Sequence, residues 1–172
     1  MQNSVYLARK RKKKVKNKNL KVFYLTAIVA FVMDQISKIM VIHYVGRNLS
    51  SLDIFKYFSL TVVKNTGICF GILSRFDIKH FIVIASLAIA VFIFIYLYRQ
   101  KEKTICLQLS LGLIEGGIAG NMADRIRVNA VIDFINLHIW PIFNMADVFI
   151  VSGICIMLLG ALESEKRNVA VH

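Results

Sequence analysis

The sequence predicts an all-α membrane protein, a bundle of four transmembrane helices with a small β-rich cradle on its outer face. Three observations lead there. Hydrophobic residues make up 57% of the 172 positions and charged ones 19%, against about 45–50% and about 25% in soluble chains, so lipid is the expected solvent. Four apolar segments each come near the roughly 20 residues that a helix needs to cross a bilayer. Between the first two, residues 54–63 are rich in aromatic and β-branched side chains, which favour short strands, and Asn65-Thr66-Gly67 supplies a turn.

The four spans are expected at residues 22–45, 81–98, 104–123 and 142–162. The first follows a basic start, as a secretory signal would. Asp34-Gln35-Ile36-Ser37-Lys38 gives no small-residue cleavage site, so a retained helix is expected. The formal net charge is +12, and nine of the 22 Lys and Arg residues lie in the tail 1–21. That tail reads as a solvated cytoplasmic arm, and its poverty in aromatics argues against nucleic acid. Residues 1–21, the connection 99–103 and the tail 163–172 carry fourteen Lys and Arg, while the opposite loops carry seven. Positive residues stay inside, so both termini are expected in the cytoplasm, with loops 46–80 and 124–141 outside. Cys69, Cys106 and Cys155 form no disulfide framework, and the four scattered histidines suggest no metal site.

Ionisable residues inside spans are costly and usually mark function. Asp34 and Lys38, four apart, share one helical face, either as a self-neutralising pair or as a brace for other polar groups. Gly116-Gly117-Ile118-Ala119-Gly120-Asn121 permits close helix approach, or simply ends a helix. Asn144 and Asp147 have the spacing of a helix cap with an acid three residues on. Capping does not account for Asp133, a lone acid in Val131-Ile132-Asp133-Phe134-Ile135.

Asp133 and Asp147 lie 14 residues apart in a segment that leaves and re-enters one membrane face. Two adjacent carboxylates share a proton, so that one activates water while the other protonates a carbonyl. Spacing leaves Asp124 as a competitor for the pair. Asp133, in apolar surroundings, is the expected holder of the proton, while Asp147 at a helix start is favoured as an anion. The competing class is a small transporter or channel that uses Asp34, Lys38 and Glu115 as an ion path.

Five segments in this order resemble the lipoprotein signal peptidases, or signal peptidase II, a bacterial family of membrane aspartyl peptidases. They are Asp34-Gln35-Ile36-Ser37-Lys38, Asn65-Thr66-Gly67-Ile68-Cys69-Phe70-Gly71, the run from Gly116 through Asn121 to Asp124-Arg125, Val131-Ile132-Asp133-Phe134 and Phe143-Asn144-Met145-Ala146-Asp147. The resemblance implies cleavage of prolipoproteins just before a diacylglyceryl-modified cysteine, at the outer face of the bacterial inner membrane and without a cofactor. It selects Asp133 and Asp147 as the catalytic pair, with Asp124 and Arg125 organising the site. It implies that Asn65, Gly67, Asn121, Asn144 and Ala146 line or shape the site, that Asp34 and Lys38 support it, and that the cyclic peptide globomycin inhibits. Partners are then prolipoproteins and membrane lipids. Ile68 and Cys69 depart from small alanines of the family, and Glu115 from an apolar residue.

Overall fold

The computed structural model describes residues 20–47, 51–66, 79–100 and 104–169. Most of the basic tail, the end of the C-terminal tail, and Gly67, Ile68 and Cys69 lie outside these residues. The described elements are α1 (Lys21–Tyr44), β1 (Leu52–Phe55), β2 (Phe58–Asn65), α2 (Lys79–Arg99), α3 (Ile105–Val128), β3 (Val131–Asn136) and α4 (Met145–Val169). Three helices are long and apolar enough to cross a membrane: α1, α3 and α4 over Met145–Glu163. A shorter apolar run, Val83–Arg99, lies in α2. Large apolar side chains such as Val29, Phe92 and Leu159 face outward, as lipid rather than water requires. The chain is a membrane protein, mostly helical, with one small sheet.

The central helix is α3, which touches each of the other three. Its adjacent glycines explain how. A Cβ on Gly116 would stand 2.5 Å from the Ala27 carbonyl oxygen of α1, and one on Gly117 the same distance from that of Ala146 in α4. Small residues thus let two backbones close on α3, where van der Waals contact replaces the hydrophobic effect. An apolar cluster of Phe23, Ile93, Leu97, Leu111 and Ile114 joins α1, α2 and α3.

Helix boundaries depart from expectation at both ends of the loop that carries the acids. The third helix opens on Thr104, whose hydroxyl accepts the Leu107 N–H at 3.1 Å. It does not stop at 123 but runs on to Val128, and Asn129 ends it in the left-handed region at φ 56°. Gly120-Asn121 is therefore interior helix, and Asp124 and Arg125 are helical rather than loop residues; packing against α1 and α4 overrides the local stop signal. The last helix starts later than 142, because Ile135 and Phe143 exchange backbone hydrogen bonds of 2.8 and 3.1 Å and hold the chain extended there. It then continues past 162 to Val169.

The sheet is antiparallel in the order β1-β2-β3. The hairpin of β1 and β2 turns at Lys56 and Tyr57, within the stretch expected to form strands. The third strand was not anticipated. Its first four residues are all buried, Asp133 included, so it reads as a continuous apolar run rather than an alternation. Val63 pairs with Asp133 and Asn65 with Val131, so Asn65 and Asp133 are diagonal neighbours on one face.

Candidate active site

The start of α4 is built around one amide. Asn144 accepts the Asp147 backbone N–H on Oδ1 at 3.0 Å, and its own backbone N–H donates to Asp147 Oδ2 at 3.2 Å. This reciprocal pair is the capping box foreseen from spacing, with Asp in the place of the usual Glu. With its oxygen committed to the cap, Asn144 points Nδ2 the other way. That nitrogen donates to Asp133 Oδ1 at 2.6 Å and to Asn121 Oδ1 at 3.0 Å. The cap and the link between the two acids are therefore one side chain.

Each acid receives a second donor. Asn65 Nδ2 reaches Asp133 Oδ2 at 2.9 Å from β2, and Asn121 Nδ2 reaches Asp147 Oδ1 at 2.9 Å from α3. The orientation of Asn121 is itself fixed, because its oxygen accepts from both Lys38 Nζ (3.2 Å) and Asn144. Burial among apolar neighbours pushes the Asp133 carboxyl up to about 6 from 3.8, and the nearby Asp147 adds to the rise. Donation from Asn65 and Asn144 and the charge of Lys38 oppose it.

Beneath the acids lies a fully buried ionic network. Lys38 Nζ sits 2.8 Å from Asp34 Oδ2 and 2.7 Å from Asp124 Oδ2, and all three side chains are sealed from solvent. Asp34 and Lys38 are thus not a self-contained pair. Asp34 Oδ1 also accepts the Ala146 N–H at 2.9 Å, taking one of the unpaired donors of the first turn of α4. Asp124 accepts the Ile132 N–H at 3.2 Å and is bridged by Arg127 at 3.2 Å. The competitor for the acid pair is consequently occupied as a brace between α1, α3 and β3. No ion pair joins Asp124 to adjacent Arg125 among the described residues. Arg125 turns back to the Asn121 carbonyl at 3.4 Å, within electrostatic reach of Asp124, Asp133 and Asp147.

The structure thus brings together Asp133, Asp147, Asn65, Asn121, Asp124, Arg125, Asn144, Ala146, Asp34 and Lys38. Gly67 lies outside the described residues. Glu115 stands apart from the hydrogen bonds of the network, with Oε2 buried and without a hydrogen-bond partner. Two members escaped the sequence reading. Gln35 donates from Nε2 to Asp34 Oδ2 (3.0 Å), Gly120 O (3.3 Å) and Asp124 Oδ1 (3.4 Å). A neutral amide within a span was a signal of the same kind as Asp34. Arg127, three residues after Asp124, had the spacing of a helical ion pair.

Comparison with known proteins agrees with this architecture. The family profile described as Signal peptidase (SPase) II matches residues 26–163. The lipoprotein signal peptidase of Moorella thermoacetica is 38% identical over 135 residues, covering 78% of this chain and 89% of its own. That of Halothermothrix orenii is 34% identical over 143 residues, covering 83% and 97%. A bacterial membrane enzyme structure obtained by the in meso method at 2.3 Å shares the fold, with a TM-score of 0.74 at 24% identity over 84% of this chain and 90% of that one. A profile spanning most of the chain, together with such relatives, assigns it: the chain belongs to the signal peptidase II family, the lipoprotein signal peptidases, and is a protease.

Proposed function

We propose that this protein removes signal peptides from prolipoproteins by hydrolysing the bond before a diacylglyceryl-modified cysteine, with Asp133 and Asp147 as the catalytic pair. The observation that carries the reading is the shared residue Asn144, which holds both acids while Asn65 and Asn121 donate to the remaining carboxylate oxygens. Donors on all sides stabilise one negative charge, and two facing acids keep one proton between them. The raised carboxyl of Asp133 makes it the proton holder. Asp147, at the N-terminus of α4, takes the proton of an attacking water while Asp133 protonates the scissile carbonyl. The C–N bond of the resulting gem-diol then breaks as Asp147 gives its proton to the leaving nitrogen and Asp133 takes one back from a gem-diol hydroxyl, which resets the pair.

The substrate explains the placement. A lipid-modified cysteine holds the scissile bond at the lipid–water boundary, and both acids flank the outer end of α3 and the start of α4. In this reading α2 supplies a fourth span and both termini are cytoplasmic. The site then faces outward from the bacterial inner membrane, with the sheet on its surface. Globomycin binds at the same acids as an inhibitor. Purified protein should cleave a diacylglyceryl-modified prolipoprotein, and Asp133→Asn and Asp147→Asn should each lower turnover by at least about 10³-fold, the scale of losing an acid–base partner. Full turnover by either variant removes that residue from the mechanism.

A further inference from the structure

Among the described residues, four carboxylates and three cations converge on the site. The carboxylates are Asp34, Asp124, Asp133 and Asp147; the cations are Lys38, Arg125 and Arg127. The cations balance the acids only when one carboxylate is protonated. The order of contacts is alternating. Arg127 touches Asp124, Asp124 touches Lys38, Lys38 touches Asp34, and Asp34 meets the N–H of Ala146 at the positive end of α4. From Lys38 a branch passes through Asn121 to Asp147. Arg127, with 48% of its side chain exposed, brings this chain to the surface.

We propose that Arg127 is a positioning residue for the reaction: as the third cation it makes the singly protonated Asp133–Asp147 pair the charge-neutral state of the site, and so holds the pair in its working form. The inference rests on the peptidase reading above. Without Arg127, Lys38 is left as the one cation in ion-pair contact with Asp34 and Asp124 among the described residues, and a net negative charge is left beside the pair. The neutral side chains that hydrogen-bond to the cluster include Gln35, Asn65, Asn121 and Asn144. Lys64 of β2 is exposed, and its ladder partner is Ile132, so it projects on the face opposite Asn65 and Asp133.

Extra negative charge favours proton uptake, so both limbs of the pH–rate profile should move upward in Arg127→Gln. A half-exposed cation is partly screened by solvent, and the expected displacement is roughly 0.2–0.7 pH unit. The measurement is kcat/KM against pH for the full-length protein on a diacylglyceryl-modified prolipoprotein. Arg127→Lys keeps the charge and should keep the limbs of the wild type. Arg127→Met makes the same comparison as Arg127→Gln if the latter does not fold. Limbs that coincide with the wild type in the neutral variants overturn the proposal, as does an equal displacement in Arg127→Lys. Wild-type protein that fails to cleave overturns the peptidase reading and this inference with it, whereas cleavage with unmoved limbs overturns this inference alone.

Discussion

Asp133 occupies a strand position with 3% of its surface exposed, between Ile132 and Phe134, which are buried as deeply. Its proton affinity has a consequence for stability as well as chemistry. The carboxyl is raised to about 6 in the fold from an ordinary 3.8, so the folded state binds more protons than the unfolded one between those values. The stability contributed by this group is complete below about pH 4 and is lost as pH rises through about 6. At neutral pH a displacement of this size corresponds to about 3 kcal/mol, an upper figure for a coupled pair. Asp133→Asn should therefore be inactive yet more stable than the wild type at pH 7.5, the trade expected of a catalytic residue. Thermal unfolding in detergent across pH 4–8 reads this directly, and equal melting temperatures of the two proteins at pH 7.5 would contradict it. The acid was visible in the sequence as an anomaly in an apolar run. Its partners were not, because a diagonal contact with Asn65 depends on a strand register that no local pattern encodes.

At the scale of elements, the contact of α3 with α4 sets the position of Asp147. Gly117 lies against the carbonyl of Ala146, the residue before that acid. An added methyl has backbone rather than a flexible side chain in its way. Gly117→Ala should destabilise by about 1–3 kcal/mol, the usual cost of overpacking. It should also lower kcat more than it raises KM, because the start of α4 must shift with its acid. Kinetics on Gly117→Ala beside a lipid-facing control such as Leu159→Ala separate the two. A normal kcat in the glycine variant would mean that α4 is not held by this contact. The glycine pair was legible as a packing signal from spacing. Which glycine faced which helix, and that the helix ran on to Val128, depended on the neighbours that close around it.

Asp34, Lys38 and Asp124 gather with the two acids at one end of a largely apolar bundle. Asp34 and Lys38 join the acids rather than forming a separate path, as the transporter reading would need. With both termini inside, as the Lys and Arg bias implies, reporters fused to either terminus should behave as cytoplasmic, and one inserted between Lys56 and Tyr57 as external. A terminus that reports from outside would reverse the assignment of the site to the outer face. Replacing the nine Lys and Arg residues of the tail 1–21 tests in the same assay how much of that bias the tail supplies.

By itself the sequence determined the solvent, the mostly helical class and the anomalous polar residues, because lipid forbids uncompensated charge and leaves exceptions conspicuous. It also determined the cap of α4, a contact across three residues that needs no tertiary partner. The tertiary structure decided which acids meet. Asp124 was turned into a brace by Lys38, Arg127 and the Ile132 N–H, and Asp133 and Asp147 were left to share Asn144. The longest-range of those contacts joins Lys38 of α1 to Asp124 of α3. Their geometry exists only once the helices have packed, and so no spacing rule could have ranked one carboxylate over another.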